Sequence, residues 1–307
     1  MYKLSEILNK LGVKYKITGS QTKDVFKQIM PISEANKSSL IFFDDPDNQT
    51  IKLLSNIKCA VVLLNKSYGM KYFDEIKNIN ISIFLVERPH LVVSRILSMI
   101  YPSEDFCFDG IHPTAFVHSE ARIHPSVSIG PYCIIGNCEI GEHSIIHSSV
   151  VIKDSTIIGK NVIIREFCLI GGTGFGHIRD QNGHLQRMPH VGRAIIEDDV
   201  ELLPFVNVDR GTLNETQIKK GTKIDHYSHI GHNCIIGEYC IITAKVVFCG
   251  GSSIGCSSFV GAGSVIKDGI KIGSNCFIGM GSIVVKDIKN NLVVYGNPAK
   301  KIRKNIK

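Results

Sequence analysis

The stretch SHIGHNCIIGEYCIITAKVVF, residues 228–248, places a bulky apolar residue at every sixth position. The same phase continues in both directions, and all of its positions are bulky and apolar: Ile218, Ile224, Ile230, Ile236, Ile242, Phe248, Ile254, Val260, Ile266, Ile272, Ile278 and Val284. Four residues after most of these positions lies a small residue: Thr222, Ser228, Cys234, Cys240, Ser252, Ser258, Ser264, Cys276 and Ser282. Two further runs in sixes lie upstream, over 140–170 and 111–129, with a phase shift of one residue between them.

This period predicts a solenoid of short strands. An α-helix does not return to one face after six residues, and the glycines and prolines recur too often for long strands. Each hexapeptide therefore gives one short strand and one corner, and three hexapeptides make a triangular coil with its bulky residues inside. Stacked coils join through parallel strand hydrogen bonds and bury a continuous isoleucine ladder. We expect residues 106–288 to form this parallel β-helix.

Two segments interrupt the count. Residues 171–190 are polar and glycine-rich, and we expect a loop extruded from the solenoid, where binding sites are commonly built. The phase is also blurred over 197–217.

The front of the chain carries no six-residue count. Residues 1–105 predict a small α/β domain, with strands over 40–43, 60–64 and 81–86 and a helix over 89–100. We expect the domain boundary at 101–105 and a basic C-terminal tail over 289–307.

Composition narrows the class of protein. Hydrophobic residues make up 44% and charged residues 21% of the 307, which is typical of a globular chain. The ten cysteines include no CxxC pair, and several share one phase of the repeat, which favours small buried residues in a reduced compartment over disulfides. The chain begins without a long apolar run and contains no stretch of about 20 apolar residues, so we expect a cytoplasmic protein with no membrane span.

The net charge of +7 includes a basic cluster over 300–307. Such a balance suits nucleic acid, an anionic membrane or phosphorylated small molecules. No nucleic-acid motif accompanies it, so we expect no nucleic-acid partner, and a solvated basic terminus is the alternative interpretation of the cluster.

His232 is the strongest local candidate for chemistry. It lies two residues after the inward Ile230, on a corner, so its side chain faces outward, where an imidazole can take a proton from an amine or a hydroxyl. One coil later Gly250 stacks over it, and its backbone N–H could stabilise an oxyanion. The alternatives are a packing histidine at 232 and a simple turn glycine at 250.

The spacing of His226, His229 and His232 also raises the possibility of a metal site. In a solenoid, side chains three residues apart point to different sides of the coil, so we expect no metal.

In their order, these motifs resemble the bacterial UDP-3-O-acylglucosamine N-acyltransferases of lipid A synthesis. The resemblance covers nearly the whole chain and rests on the Gly174-Phe175-Gly176 loop, the Asp209-Arg210-Gly211 segment and the His232-Asn233 pair. It implies a left-handed β-helix and a homotrimer with sites between neighbouring subunits. It also implies an enzyme that transfers an acyl chain from a thioester to the amine of a nucleotide-linked amino sugar.

The resemblance implies a role for each matching residue. His232 would be the general base and the Gly250 amide the oxyanion donor. The front domain would bind uridine through Phe42, and the other substrate-binding residues would be Phe175, Asp209, Arg210, His229 and Asn233. No cofactor would be bound permanently, because the acyl chain arrives as the thioester of acyl carrier protein.

The chain departs from this family in three places. The second aromatic expected around uracil falls at Asn48, a late histidine is replaced by Lys267-Asp268-Gly269, and a C-terminal helical extension is missing. The ending Gly296-Asn297-Pro298-Ala299 is instead similar to that of acetyl-CoA-dependent sugar acetyltransferases. The expected donor-binding residues are Gly263, Lys300, Lys301 and Arg303.

The donor therefore stays open at this point. Acetyl-CoA-dependent N-acetylation of a nucleotide-linked amino sugar, for O-antigen, capsule or glycan synthesis, is the alternative to transfer of a long acyl chain. A solenoid scaffold without catalysis is a third interpretation, which gives no reason for the extruded loop.

Overall fold

A computed structural model describes residues 1–21, 23–54, 56–57, 59–101 and 108–305. It divides the chain into two compact units, Met1–Asp105 and Phe106–Lys307. Of the predicted boundary at 101–105, residues 102–105 lie outside the described residues, as do the tail residues 306–307.

The first unit is a five-stranded sheet with helices on both sides. Its parallel strands are mainly hydrophobic because both faces of the sheet are covered. One face packs against the helices Leu4–Lys10 and Pro89–Ile100, and the other against Asn48–Leu54 and Phe73–Ile76. The sheet consists, in order, of Tyr15–Thr18, Ser82–Val86, Val61–Asn65, Ser39–Phe43 and Gln28–Ile29, the first of these antiparallel to its neighbour. The remaining elements are Tyr2–Lys3, Val25–Phe26, the 3-10 helix Ile32–Glu34 and the helix Lys66–Lys71.

The predicted helix over 89–100 is confirmed with the same bounds, and Pro89 lies in its first turn, where the missing N–H has no helical partner to lose. In the part of the chain that the structure describes, no helix is both long and apolar enough to cross a membrane.

The second unit is the left-handed parallel β-helix that the repeat and the resemblance predict. Its strands form three faces. The first face holds Phe116–Val117, Ile134–Ile135, Val151–Ile152, Leu169–Gly172, Asn207–Asp209, His229–Ile230, Val247–Phe248, Val265–Ile266 and Ile283–Val284. The second face holds Arg122–Ile123, Glu139–Ile140, Ile157–Ile158, Arg193–Ile196, Glu215–Ile218, Ile235–Ile236, Ser253–Ile254 and Lys271–Ile272. The third face holds Ser128–Ile129, Ile145–Ile146, Ile163–Ile164, Glu201–Leu202, Lys223–Ile224, Ile241–Ile242, Phe259–Val260, Phe277–Ile278, Leu292–Tyr295 and Lys300–Lys304. A hairpin of His177–Arg179 and Leu185–Arg187 stands apart from them.

The inward ladder is the core of this unit. Every position of the main six-residue run is buried, with at most 4% of its surface exposed, at Ile272. Neighbouring coils stay in register 18 residues apart, as where Ile230 pairs with Phe248 and Phe248 with Ile266. Burial of one continuous apolar column is therefore what holds the coils together.

The small residues near the corners link successive coils. Ser258 donates a hydrogen bond to the Gly273 carbonyl at 3.2 Å and accepts one from the Cys276 N–H at 3.0 Å. Thr222 makes the same pair of bonds to Gly237 and Cys240. A hydroxyl at this position satisfies backbone groups that the corner would otherwise leave buried without partners.

Both interruptions of the count fall at one corner, between the first and second faces, which we call the site corner. The inward residues on either side are Ile170 and Ile196 in one coil and Val208 and Ile218 in the next. These separations of 26 and 10 residues, against the usual six, correspond to insertions of 20 and 4. The strands around both insertions remain paired, and the one irregularity is a register shift between Ile170 and Gly172, where the longer insertion begins.

The end of the chain is part of the helix rather than a separate tail. The strand Leu292–Tyr295 pairs in parallel with Phe277–Ile278 on the third face, and Lys300–Lys304 folds back antiparallel on it. All five residues of this last strand are exposed.

Candidate active site

A network of hydrogen bonds orients His232 on the site corner. The Asn233 side-chain oxygen accepts hydrogen bonds from the Thr212 N–H at 3.1 Å and from the Thr212 hydroxyl at 2.9 Å, and lies 3.0 Å from Nδ1 of His232. A backbone N–H only donates, so the Asn233 atom that it meets is the oxygen, and Nδ1 of His232 must carry the proton. The Nε2 atom of His232 is then left with a free lone pair, which is the state that a general base requires.

Gly250 lies directly against this imidazole. A methyl group at position 250 would lie 2.6 Å from both Nε2 and Cε1 of His232. Glycine at 250 therefore makes room for the histidine ring, besides forming a turn. Among the described residues the Gly250 N–H has no hydrogen-bond partner.

The extruded loop packs onto the same corner through His190. The His190 and His232 rings lie 4.9 Å apart at an interplanar angle of 62°. The Gly174 backbone lies close to both rings, because a methyl group there would be 2.9 Å from Nε2 of His190 and from Cδ2 of His232. The loop is thus joined to the active-site candidate, as its position in the sequence suggests.

The electrostatics of His190 differ from those of an exposed histidine. Burial lowers the pKa of His190, and the neighbouring His232 lowers it further. Its Nδ1 lies 3.1 Å from the Met188 carbonyl oxygen, and its side chain is only 7% exposed.

Asp209 and His229 belong to a second polar cluster, on the strands of the first face that lead into the site corner. Asn207 donates a 2.9 Å hydrogen bond to Asp209 and lies 2.9 Å from Nδ1 of His229, while His229 Nε2 is 3.7 Å from Asp209. Asp209 is only 7% exposed, so most of its carboxylate is already engaged within the protein.

Arg210 and Phe175 make their contacts with the extruded loop and its base in this structure. The Arg210 guanidinium donates to the carbonyls of Gly171 at 3.0 Å and Asp154 at 2.7 Å, which fixes the base of the loop. Phe175 is 87% exposed and lies 4.8 Å from the His177 ring. Contact of either side chain with substrate stays a prediction.

A groove of about 780 Å³ adjoins the site corner and reaches Asn233. Its wall combines exposed aliphatic side chains, Val191, Leu213 and Ile235, with the ion pair of Arg193 and Glu215. Such a groove can hold a molecule that is partly apolar and partly polar.

The expected donor residues lie elsewhere on the β-helix. Gly263 is on the corner between the third and first faces, and Lys300, Lys301 and Arg303 are on the terminal strand of the third face. None of them reaches the site corner of the same chain.

Phe42, in the first unit, borders a separate groove of about 720 Å³ with Val93, Leu97 and Tyr101. His90 meets its ring edge-on at 4.8 Å, and Asp44 accepts hydrogen bonds from the backbone and ring of His90. The groove is open and partly aromatic, so it could accept a flat ring.

The three evenly spaced histidines, at 226, 229 and 232, contact different partners. His226 bonds to Asp225, His229 faces Asn207, and His232 faces Asn233. Within the described ranges no group of three or more His, Cys, Asp or Glu side chains could hold a metal.

Two residues of the site were not predicted as part of it. Thr212 and His190 both come from the insertions at the site corner. Assigning each break in the count to its corner locates these inserted segments near His232, but not the positions of their side chains.

The chain matches the family described as bacterial transferase hexapeptide (six repeats) over residues 137–172, 215–250 and 251–286. It is 30% identical over 260 residues to the UDP-3-O-acylglucosamine N-acyltransferase of Coxiella burnetii, covering 78% of this chain and 72% of that protein. The Helicobacter pylori protein of the same name is 30% identical over 275 residues, covering 82% and 76%.

Solved structures give the same picture of the fold. The UDP-N-acetylglucosamine O-acyltransferase of Moraxella catarrhalis is 30% identical with a TM-score of 0.58, over 64% of this chain and 74% of that one. LpxA from Acinetobacter baumannii is 32% identical with a TM-score of 0.59, over 64% and 75%.

Proposed function

The chain belongs to the UDP-3-O-acylglucosamine N-acyltransferases and is an acyltransferase, and we propose that the site corner acylates the amine of a nucleotide-linked amino sugar from a thioester. The observation that carries this proposal is the state of His232. Its Nδ1 proton is held by Asn233 and its Nε2 lone pair is free beside the Gly250 amide.

The chemistry follows from these two groups. As the sugar amine attacks the thioester carbonyl carbon, a C–N bond forms and His232 Nε2 takes the amine proton. The carbonyl oxygen becomes an oxyanion, to which the unpartnered Gly250 N–H donates. When the C–S bond breaks, the proton passes from His232 to the departing thiolate, which leaves as the thiol.

The groove beside Asn233 supports a long acyl chain. Val191 and Leu213 are 67% and 71% exposed there, and an alkyl chain would remove this apolar surface from water. A donor carried by acyl carrier protein is therefore the leading case.

The terminal strand supports the alternative donor. Lys300, Lys301 and Arg303 are exposed side by side, and their charge suits the phosphates of CoA. On this alternative, the enzyme is an acetyl-CoA-dependent N-acetyltransferase of a nucleotide-linked amino sugar.

A homotrimer is part of the proposal, because the expected donor residues lie on another corner and on the third face of their own chain, not on its site corner. A neighbouring subunit could bring its own third-face residues to the site. Sedimentation of the purified protein as a monomer would contradict this part. A cytoplasmic location is likewise proposed, in keeping with the nine free cysteines among the described residues.

The test is a thiol-release assay on the purified protein. Acetyl-CoA and 3-hydroxyacyl carrier protein are offered in parallel, each with a panel of UDP- and dTDP-linked amino sugars and the matching hydroxyl sugars. Turnover with the carrier protein and a UDP-3-O-acylglucosamine supports the leading case, and turnover with acetyl-CoA alone supports the alternative. No turnover with any amino sugar would reject N-acylation.

A further inference from the structure

His190 carries a lone pair that nothing in the described residues satisfies. Its Nδ1 faces the Met188 carbonyl, which only accepts, so Nδ1 must be the protonated nitrogen of the neutral ring. Its Nε2 is therefore an acceptor, and this atom is buried without a hydrogen-bond partner. A buried acceptor without a partner is unfavourable, so its retention in a site calls for a physical reason.

The Nε2 atom of His190 and the Cδ2 atom of His232 both lie against Gly174. The space that a methyl group on Gly174 would fill is 2.9 Å from Nε2 of His190 and 2.9 Å from Cβ and Cδ2 of His232. The ring centroids are 4.9 Å apart and the rings are steeply inclined. The two rings are thus neighbours in an inclined, edge-type arrangement, while Nε2 of His190 is buried away from solvent.

Resting on the proposed function, we propose that His190 is a positioning residue that stays neutral and stabilises the imidazolium form of His232. When His232 takes the amine proton, the positive charge spreads over its ring, including the C–H edge. A fixed neighbouring lone pair is then attracted to that edge, whereas it gains nothing while His232 is neutral. The unpartnered acceptor is therefore an oriented dipole for the charge that His232 carries only while it is protonated.

The charges around His190 are consistent with a neutral ring. His232 and Arg187 disfavour its protonation and Asp209 favours it, but burial is the largest influence and keeps the pKa of His190 low. Thr212 and Gly250, which face His232 from the neighbouring coils, and Asn233, the next residue on its own corner, carry no charge. His190 is thus a titratable neighbour in ring contact with His232, through which the charge on His232 can be adjusted.

The test compares His190→Phe, which keeps a flat ring without the lone pair, with His190→Gln, which keeps an acceptor. For His190→Phe we expect kcat/KM to fall about tenfold and the acidic limb of its pH profile to move down by about 0.5–1 pH unit. The limb moves down because a less stabilised imidazolium forms only at lower pH. His190→Gln is expected to restore the limb and most of the rate.

A purely structural role would give a different result. Misplacement of His232 would lower kcat while leaving the limb unmoved, and Gln would then do no better than Phe. Either an unmoved limb in both variants or a limb that moves to higher pH would overturn the proposal.

A second readout separates this proposal from the proposed function. The His232 ring resonance of substrate-free protein, labelled on histidine and assigned with His232→Ala, is titrated by NMR in wild type and in His190→Phe. A downward move of this titration supports the role of His190 even if no acyl transfer is found. If transfer occurs but this titration is identical in both proteins, only the role of His190 is rejected.

Discussion

The Asn233 side-chain oxygen lies 3.0 Å from Nδ1 of His232, and this contact fixes which nitrogen of the imidazole carries the proton. The same oxygen is anchored by the N–H and hydroxyl of Thr212, from the four-residue insertion one coil earlier. The orientation of the proposed base, His232, thus depends on a residue of an insertion that does not follow the six-residue repeat.

Asn233→Asp should retain most of the activity and shift its pH dependence. Aspartate tolerates the left-handed backbone at this position, where φ is +61°, and keeps the acceptor. The added negative charge favours the imidazolium, so we expect the acidic limb of kcat/KM to move up by about one pH unit. The pH profile of the variant checks this.

Asn233→Ala should lower kcat/KM by about 10–10³-fold, because His232 loses the acceptor that fixes its tautomer. The matched control is Asn161→Ala, at another left-handed corner where φ is +54° and His232 is not in contact. Equal losses in the two variants would show that backbone strain alone is responsible.

His232→Ala should preserve folding and lower kcat/KM by about 10²–10⁴-fold, the usual share of a general base. His226→Ala is the control, since His226 lies on another corner of the same coil and its side chain makes a hydrogen bond only with Asp225 among the described residues. Steady-state rates of the two variants are compared, and circular dichroism confirms that both are folded. Unchanged activity in His232→Ala would refute the assignment.

Gly250→Ala should reduce the rate at least about 100-fold, because a 1 Å displacement of a catalytic group can cost that much. The added methyl group falls 2.6 Å from Nε2 of His232, so the ring must move. The control is the double variant with His232→Ala. In that background the alanine at 250 should cost little further, and a full additional loss would point to a role for the Gly250 backbone itself.

Acid should open the extruded loop. The pKa of His190 is lowered in the closed loop by burial and by His232, so the open form binds the proton more readily. The closed form therefore loses stability as pH falls below the ordinary histidine value of 6.5 towards the lowered one. We expect trypsin to cut faster after Arg179 and Arg187, relative to the basic terminal strand, as pH falls through this window.

The ratio of the two cleavage rates cancels the pH dependence of the protease. In His190→Gln, which does not titrate, the ratio should be independent of pH. A wild-type ratio that is equally flat would contradict the link between His190 and loop closure.

Ser258→Ala should destabilise the β-helix by about 1–3 kcal/mol, the cost of leaving buried backbone groups without partners. Its hydroxyl bonds to the Gly273 carbonyl and the Cys276 N–H. The control is Ser253→Ala, on the outer side of a strand, where the hydroxyl makes no hydrogen bond with any described residue. Urea denaturation of both variants measures the difference.

The β-helix could be predicted from the sequence because one side chain of each hexapeptide occupies the same buried environment. Ile218 and Val284 lie far apart in the chain but bury against the same column, so counting alone finds them. The phase shift is also real, because the corner after Ile135 has one residue fewer than usual and Ile140 follows directly on the next face.

The site was less predictable, because its residues come from segments that break the period. His232 could be placed since it sits at a regular corner. His190 and Thr212 could not, because the path of an insertion depends on tertiary contacts such as those of Arg210 with Gly171 and Asp154. Such contacts leave no periodic trace in the sequence.

The terminal strand Lys300–Lys304 has a consequence for how these molecules behave at high concentration. The last coil of any parallel β-helix presents unpaired N–H and C=O groups, which form the same kind of template that elongates a fibril. Here the third face ends instead in an antiparallel strand on which four of five side chains are cationic. Two such ends repel each other, so the fold carries its own barrier to end-to-end polymerisation, and this barrier should weaken as added salt screens the charges.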